Sequence, residues 1–285
     1  MATEGIKTFS LGNYRFYHAQ VGSLRLDGGA MFGVVPKALW NRNYPADDKN
    51  RITLGTNVLI FEGNGTVGII DNGTGDKDSD RFKDIYEIRW LGFPWRDLPM
   101  RMSDIQWMLL THLHFDHCGG STMKQPDAAV VPTFAQARHV VHRQEFDDAV
   151  HPNERSEASY LLQNFMPLKQ ANILTLLTDD EAAVTKDIRA IRTGGHTRGH
   201  LVYAIDTGDG IVAYMADFIP TTRHVGLPYI MAYDLYPMDS LAARKRLYPR
   251  MMEEKWLCVF EHDETPKAGY LRPKGNDYRV ELFYG

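Results

Sequence analysis

The sequence predicts an α+β domain, an αββα sandwich in which two β-sheets pack face to face and helices cover their outer sides. Three observations lead there. Short apolar or alternating runs punctuated by glycine fill the first third of the chain, the middle reads as more helical, and strand-like runs return in the last third. Strands, then helices, then strands imply two similar β-rich halves, each with its own helices, packed sheet on sheet. The chain has 285 residues, enough for one sizeable core but short for two full-sized domains, so residues 1–285 read as a single domain.

Residues 14–26, 57–61 and 67–70 are the first strands, apolar and rich in β-branched and aromatic side chains. Between the second and third, Asn64-Gly65 supplies the positive φ angles of a tight hairpin turn. A polar loop, Asp71-Asn72-Gly73-Thr74-Gly75-Asp76, follows the third strand at a position where binding groups often sit. Residues 80–89 and 103–105 are candidate helices, and 106–111 a strand. Helices are expected over 143–150 and 154–165, then strands over 188–191, 201–205, 211–215 and 257–260. Segments 28–48 and 90–101 carry proline, glycine and aromatics without periodicity and read as long ordered loops.

Composition narrows the function. With 32 basic and 36 acidic residues the net charge is −4, so the overall field attracts neither nucleic acid nor an anionic membrane, and a small-molecule substrate is expected instead. No stretch approaches the roughly 20 apolar residues that cross a bilayer, and the first residues lack a charged-then-apolar leader pattern, so a cytoplasmic protein is expected. Cys118 and Cys258 are too few for a disulfide framework. The unusual feature is histidine, present eleven times.

Three of those histidines fall in Thr111-His112-Leu113-His114-Phe115-Asp116-His117-Cys118, directly after an apolar strand. Residues two apart on an extended backbone point the same way, so His112 and His114 can share one focus while the following turn aims Asp116 and His117 at a second. That pattern suits two adjacent cations. Zinc accepts such a nitrogen and oxygen donor set, as do iron, manganese and cobalt. Further donors stand at later strand ends: His196 within Gly194-Gly195-His196-Thr197-Arg198-Gly199-His200, Asp217 after 211–215, and His262 after 257–260.

This H-x-H-x-D-H run, followed by a distant His, Asp and His, resembles the ligand order of metallo-β-lactamase-fold hydrolases, and Asp71-Asn72-Gly73 resembles their loop after an early strand. The resemblance implies two divalent metals, zinc foremost. His112, His114 and His196 would hold one, Asp116, His117 and His262 the other, and Asp217 would bridge them. Asp116 and Asp217 are then the catalytic carboxylates. His114 stands where diiron oxygen-reducing members resemble Glu, and Asp217 where drug-resistance β-lactamases carry Cys, which disfavours both chemistries. The glyoxalase II thioesterases share the signature around His196, but the 23 residues after His262 leave no room for their helical glutathione-binding domain.

What remains is similar to the lactonase and organophosphate-hydrolase branch. There a water bridging two cations becomes hydroxide near neutral pH and attacks a lactone or ester carbonyl, or a phosphorus centre in phosphotriesters and phosphodiesters. A non-catalytic metal-binding protein would lack a bridging or water-activating residue, and none is missing. In one respect the chain departs from the branch: acyl-homoserine lactonases place a Tyr three residues after the bridging Asp, and here that residue is Pro220. His224, Tyr229 and Tyr233 are candidate replacements. Met31 and Phe32, flanked by glycines, are expected to form an apolar wall of the substrate pocket or to contribute to a homodimer contact. The basic cluster Arg244-Lys245-Arg246 with Arg250 reads as a solvated helix face.

Overall fold

The computed structural model describes residues 5–285. The first sheet collects β1 (Ile6–Leu11), β2 (Tyr14–Asp27), β3 (Arg51–Gly63) and β4 (Thr66–Ile70), then β5 (Arg89–Trp90), β6 (Trp107–Leu109), β9 (Arg138–His142) and β10 (Leu174–Leu177); β7 (Thr122–Lys124) and β8 (Val130–Pro132) form a separate ribbon. The strand order is β1-β2-β3-β4-β6-β9-β10, with β5 beside β2. Pairing is antiparallel as far as β4 and parallel from β4 to β10. The second sheet runs in chain order: β11 (Glu181–Ala183), β12 (Ile188–Arg192), β13 (Leu201–Asp206), β14 (Ile211–Tyr214), β15 (Leu257–Phe260), β16 (Lys267–Lys274) and β17 (Asp277–Tyr284).

Both faces of the central strands are buried, and alternation divides their side chains between two cores. In β3, Leu59 and Phe61 join Tyr14, Phe16 and Ile70 and meet Tyr203, Ile205, Val212 and Val259 of the second sheet. Val58 and Ile60 point the other way, into a core closed by Phe146 and Ala149 of α5 (Arg143–Val150) and Leu168 of α6 (Met166–Gln170). Beyond the second sheet, α7 (Pro237–Glu253) buries Ala243, Leu247, Tyr248 and Met251 at helical spacing. The layers are therefore helix, sheet, sheet, helix.

Several local expectations need correction. The 28–48 segment contains α1 (Gly28–Phe32) and α2 (Lys37–Trp40), which seal a fourth apolar cluster. The helix expected over 80–89 is α3 (Asp80–Tyr86), stopped by a left-handed Glu87; that over 103–105 is one 3₁₀ turn, Met102–Asp104. Residues 154–165 are turns with one 3₁₀ turn at Leu162–Asn164, and the Ser159 carbonyl, which a helix would use, accepts from Phe115 N–H instead. The turn between β3 and β4 is as expected, with positive φ at Asn64 and Gly65. Arg244 is not solvated. It is 1% exposed and donates to the carbonyls of Gly226, Tyr229 and Phe218.

The topology places one edge of the sandwich for chemistry. Strands β4 and β6 are parallel, and β12, β14 and β15 run in one direction, so their C-terminal ends gather the loops holding Asp71, His112–His117, His196, Asp217 and His262. No helix among the described residues is long and apolar enough to cross a membrane.

Candidate metal centre

All seven side chains singled out in the sequence converge. Single donor atoms of His112, His114, His196 and Asp217 lie within 4.8 Å of one another, and so do those of Asp116, His117 and His262. His114 and His117 flank the start of α4 (Phe115–Cys118), a short helix that turns the chain so that consecutive ligands face different foci. Gly195 lets the His196 loop lie against α7: its φ is +84°, and a Cβ there would come within 2.2 Å of the Ser240 hydroxyl.

The outer nitrogen of four of the five rings is engaged, which fixes what the inner one offers. His262 Nδ1 lies 2.8 Å from the Gly55 carbonyl, and a carbonyl only accepts, so Nδ1 carries the proton. His196 Nδ1 donates to Asp234 Oδ1 at 3.0 Å, and His117 Nδ1 to Asp71 Oδ2 at 2.9 Å. His112 Nδ1 meets Thr111 Oγ1 at 3.1 Å, whose own proton goes to Asp71. In the neutral form each of these rings turns a lone pair inward.

The inner atoms then crowd without hydrogen bonds that make sense. His196 Nε2 is 3.0 Å from His114 Nδ1, and His262 Nε2 is 3.2 Å from His117 Nε2. Asp217 divides its oxygens: Oδ2 is 2.9 Å from His196 Nε2, and Oδ1 is 3.1 Å from His262 Nε2. His112 Nε2 is buried with no partner among the described residues. A tetrahedral cation with bonds of about 2.0–2.1 Å to nitrogen holds its ligand atoms about 3.3–3.4 Å apart, so the donor set fits two adjacent divalent metals.

The field agrees with that fit. Burial opposes charge on Asp217, yet the His196, His117 and His262 imidazoles hold its carboxyl well below the usual range. Burial likewise lowers His196 and His262, but Asp217 outweighs it, with help from Asp234 and Glu261 respectively, and raises them to about 10 and about 9. The pocket attracts positive charge. Burial, added to the neighbouring imidazoles, pushes His112 and His114 down instead, leaving them neutral.

Residues 51–259 match the metallo-beta-lactamase superfamily. The chain belongs to that superfamily. An N-acyl homoserine lactonase of Bacillus sp is 25% identical over 170 residues, so the match spans 59% of this chain and 59% of that relative. A probable metal-dependent hydrolase from Staphylococcus aureus superposes with a TM-score of 0.85 at 30% identity, covering 96% of this chain and 99% of the other. AidC, a dizinc quorum-quenching lactonase in complex with a product, shares the fold, with a TM-score of 0.78 at 20% identity over 99% of each chain.

Beside these side chains lies a cavity of about 290 Å³. His114, Asp116, His196, Asp217 and His262 face it, and Leu26, Met31, Leu54, Phe115 and Met231 make much of its wall. Tyr233 lines it too. Phe32, His224 and Tyr229 do not, so three of the side chains expected to meet substrate stand elsewhere. Phe32 stacks between Trp40 and His224, with centroids 5.3 and 4.4 Å away, on the far side of α1 from Met31. His224 is fully buried and bonds to Thr221 Oγ1 and the Met31 carbonyl, and Tyr229 packs edge-on against Phe32. Pro220 accepts the His262 N–H through its carbonyl at 2.8 Å. His200 Nε2 accepts from the Asp217 N–H at 3.2 Å, orienting that carboxylate.

Sequence reasoning missed Tyr86 and Arg155, which also line the cavity, and the supporting acids Glu145, Asp234 and Glu261. Each is remote in sequence from the ligand it serves, apart from Glu261, which precedes His262. Glu261 is fully buried, and its Oε2 sits 2.9 Å from His117 Nδ1.

Proposed function

We propose that this chain is a dinuclear metal-dependent hydrolase of lactones or related carboxylic esters with an apolar acyl part, acting on a small cytoplasmic molecule rather than on nucleic acid or membrane. One observation carries it: Asp217 turns one oxygen to each of two histidine-lined nests at the floor of a largely apolar cavity. His112, His114 and His196 would hold one cation, Asp116, His117 and His262 the other, and Asp217 both. When bound, two divalent cations supply Lewis acidity, lowering the pKa of a water to about 7 and polarising the acyl oxygen.

The chain's own residues do the rest. The Asp116 carboxylate faces the cavity, placed to take the proton that the attacking water loses and to return it to the leaving alkoxide. Tyr233 takes the part for which the sequence has no Tyr at position 220. Burial, with the charge of Asp27, raises its phenol to about 12, so it remains a hydroxyl donor to the substrate at neutral pH. Leu26, Met31, Leu54 and Met231 shed water around an acyl chain. Arg155 joins the walls at the rim, donating to the carbonyls of Ala232 and Asp234. The name borne by the Bacillus relative, N-acyl homoserine lactonase, supports the lactone reading.

The test is the purified protein, its metal quantified, against lactones, aryl esters, phosphotriesters and phosphodiesters. Highest kcat/KM on a lactone or carboxylic ester is expected. A preference for phosphoesters would replace the acyl reading, and turnover undiminished by complete metal removal would overturn the whole proposal.

A further inference from the structure

Glu145 has no contact with the cavity, yet it joins the two loops that form the first nest. It sits in the first turn of α5 with no exposed surface. Its Oε1 accepts from the Leu113 N–H and from the Tyr160 hydroxyl, both at 3.0 Å, and its Oε2 accepts from the Thr197 hydroxyl at 2.5 Å. Leu113 separates His112 from His114. Thr197 follows His196, and the Tyr160 ring packs against that of His114 with centroids 4.9 Å apart. These loops leave different sheets, β6 in one and β12 in the other, and a single backbone bond, Leu201 N–H to the Thr111 carbonyl at 2.9 Å, joins them at one end.

The contact also depends on Gly199, where a Cβ would come within 2.3 Å of the Glu145 backbone nitrogen. Hydrogen bonds to a buried carboxylate are charge-assisted and directional, so three of them resist displacement more than apolar packing would. The second nest is fastened by groups other than Glu145: His117 by Asp71, which also accepts from Thr111 behind His112, and His262 by the Gly55 carbonyl.

We propose that Glu145 is a positioning residue for the first nest, holding His114 and His196 at the spacing one cation requires and so setting the affinity of that nest alone. This rests on the dinuclear reading above. Substituting a group that orients a ligand from behind typically costs 10–100-fold in metal affinity.

The experiment titrates metal-free full-length protein with Co²⁺, followed by visible absorption and calorimetry, with the melting temperature of each metal-free protein measured alongside. Wild type should bind two ions per chain. Glu145→Ala should weaken one class of site by about 10–100-fold and leave the other within about twofold. His196→Ala should lose that same class. Glu145→Gln keeps an acceptor for Leu113 and Tyr160 and should recover most of the loss. If Glu145→Ala does not fold, Thr197→Val, which removes only the Oε2 bond, carries the test and should show a smaller loss confined to that class. One ion bound by wild type would sink the dinuclear reading itself. Two ions in wild type, with both classes weakened equally or neither affected in the variants, would refute the role of Glu145.

Discussion

Phe32 and Met31 are neighbours in one short helix, each 1% exposed, so exchanging either for Ala should cost stability while only the exchange of Met31 should change chain-length preference. Phe32 is 1% exposed, stacked on Trp40 at an interplanar angle of 6° and on His224 at 15°, with Tyr44 5.7 Å away. Removing a buried Phe side chain costs about 3–5 kcal/mol in lost transfer energy and residual cavity. At about 2–4 °C per kcal/mol for a domain of roughly this size, the melting temperature should fall by roughly 6 to 20 °C. Any loss of activity should be uniform across substrates and track the loss of folded protein. Met31 faces the cavity, so Met31→Ala should lower kcat/KM for long-chain substrates by about 10 to 200-fold and spare short ones. The assay is kcat/KM over a series of esters or lactones of increasing acyl length, with calorimetry on the same preparations. A Phe32→Ala protein that melts like wild type but discriminates by chain length would refute this assignment of the two faces of α1.

Asp217→Asn keeps the shape but removes the charge shared between the nests, so metal content should drop from two to one per chain with most of kcat lost; elemental analysis and kinetics check this. Chelation should lower the melting temperature, and restored divalent metal should raise it again, because ligands that bind only the folded chain stabilise it. Arg244→Ala strips the donor from the Phe218 and Tyr229 carbonyls, while Gly226 keeps its bond from Tyr229 N–H, and should cost about 1–3 kcal/mol for each orphaned acceptor, read as a lower urea midpoint with metal content unchanged in the folded fraction. Tyr233→Phe should reduce kcat more than it changes metal content. Because burial and Asp27 hold the phenol near 12, wild-type activity should show no fall attributable to its ionisation up to pH of about 10.

The four candidate donors of the His112–His117 run were legible in sequence because their geometry is local. His112 and His114 are two residues apart, Asp116 and His117 follow within one turn, and His196, Asp217 and His262 each come shortly after an apolar strand. Strand periodicity likewise made the sandwich readable, since both faces of β3 must be covered. The turn at Asn64-Gly65 was set by residues that tolerate positive φ.

Other features depended on what each side chain meets in space. Residues 154–165 have a helix-compatible composition, but the hydrogen bond from Phe115 N–H to the Ser159 carbonyl competes with the helical ladder there. Arg244 looks like its neighbours Lys245 and Arg246 in sequence, yet only its position on α7 turns inward to the carbonyls of Gly226, Tyr229 and Phe218. Asp234 and Asp71 are ordinary acids until the two sheets bring them against histidines from distant segments, as is Glu145 until they bring it against Leu113, Tyr160 and Thr197. Composition and spacing therefore determined the strands, the turn and the four donors of the His112–His117 run, which follow from backbone periods of a few residues, while the family resemblance singled out His196, Asp217 and His262. Only the packed sandwich decided which face of α1 borders the cavity and which carboxylates brace the ligands, because those outcomes rest on contacts between residues far apart in the chain.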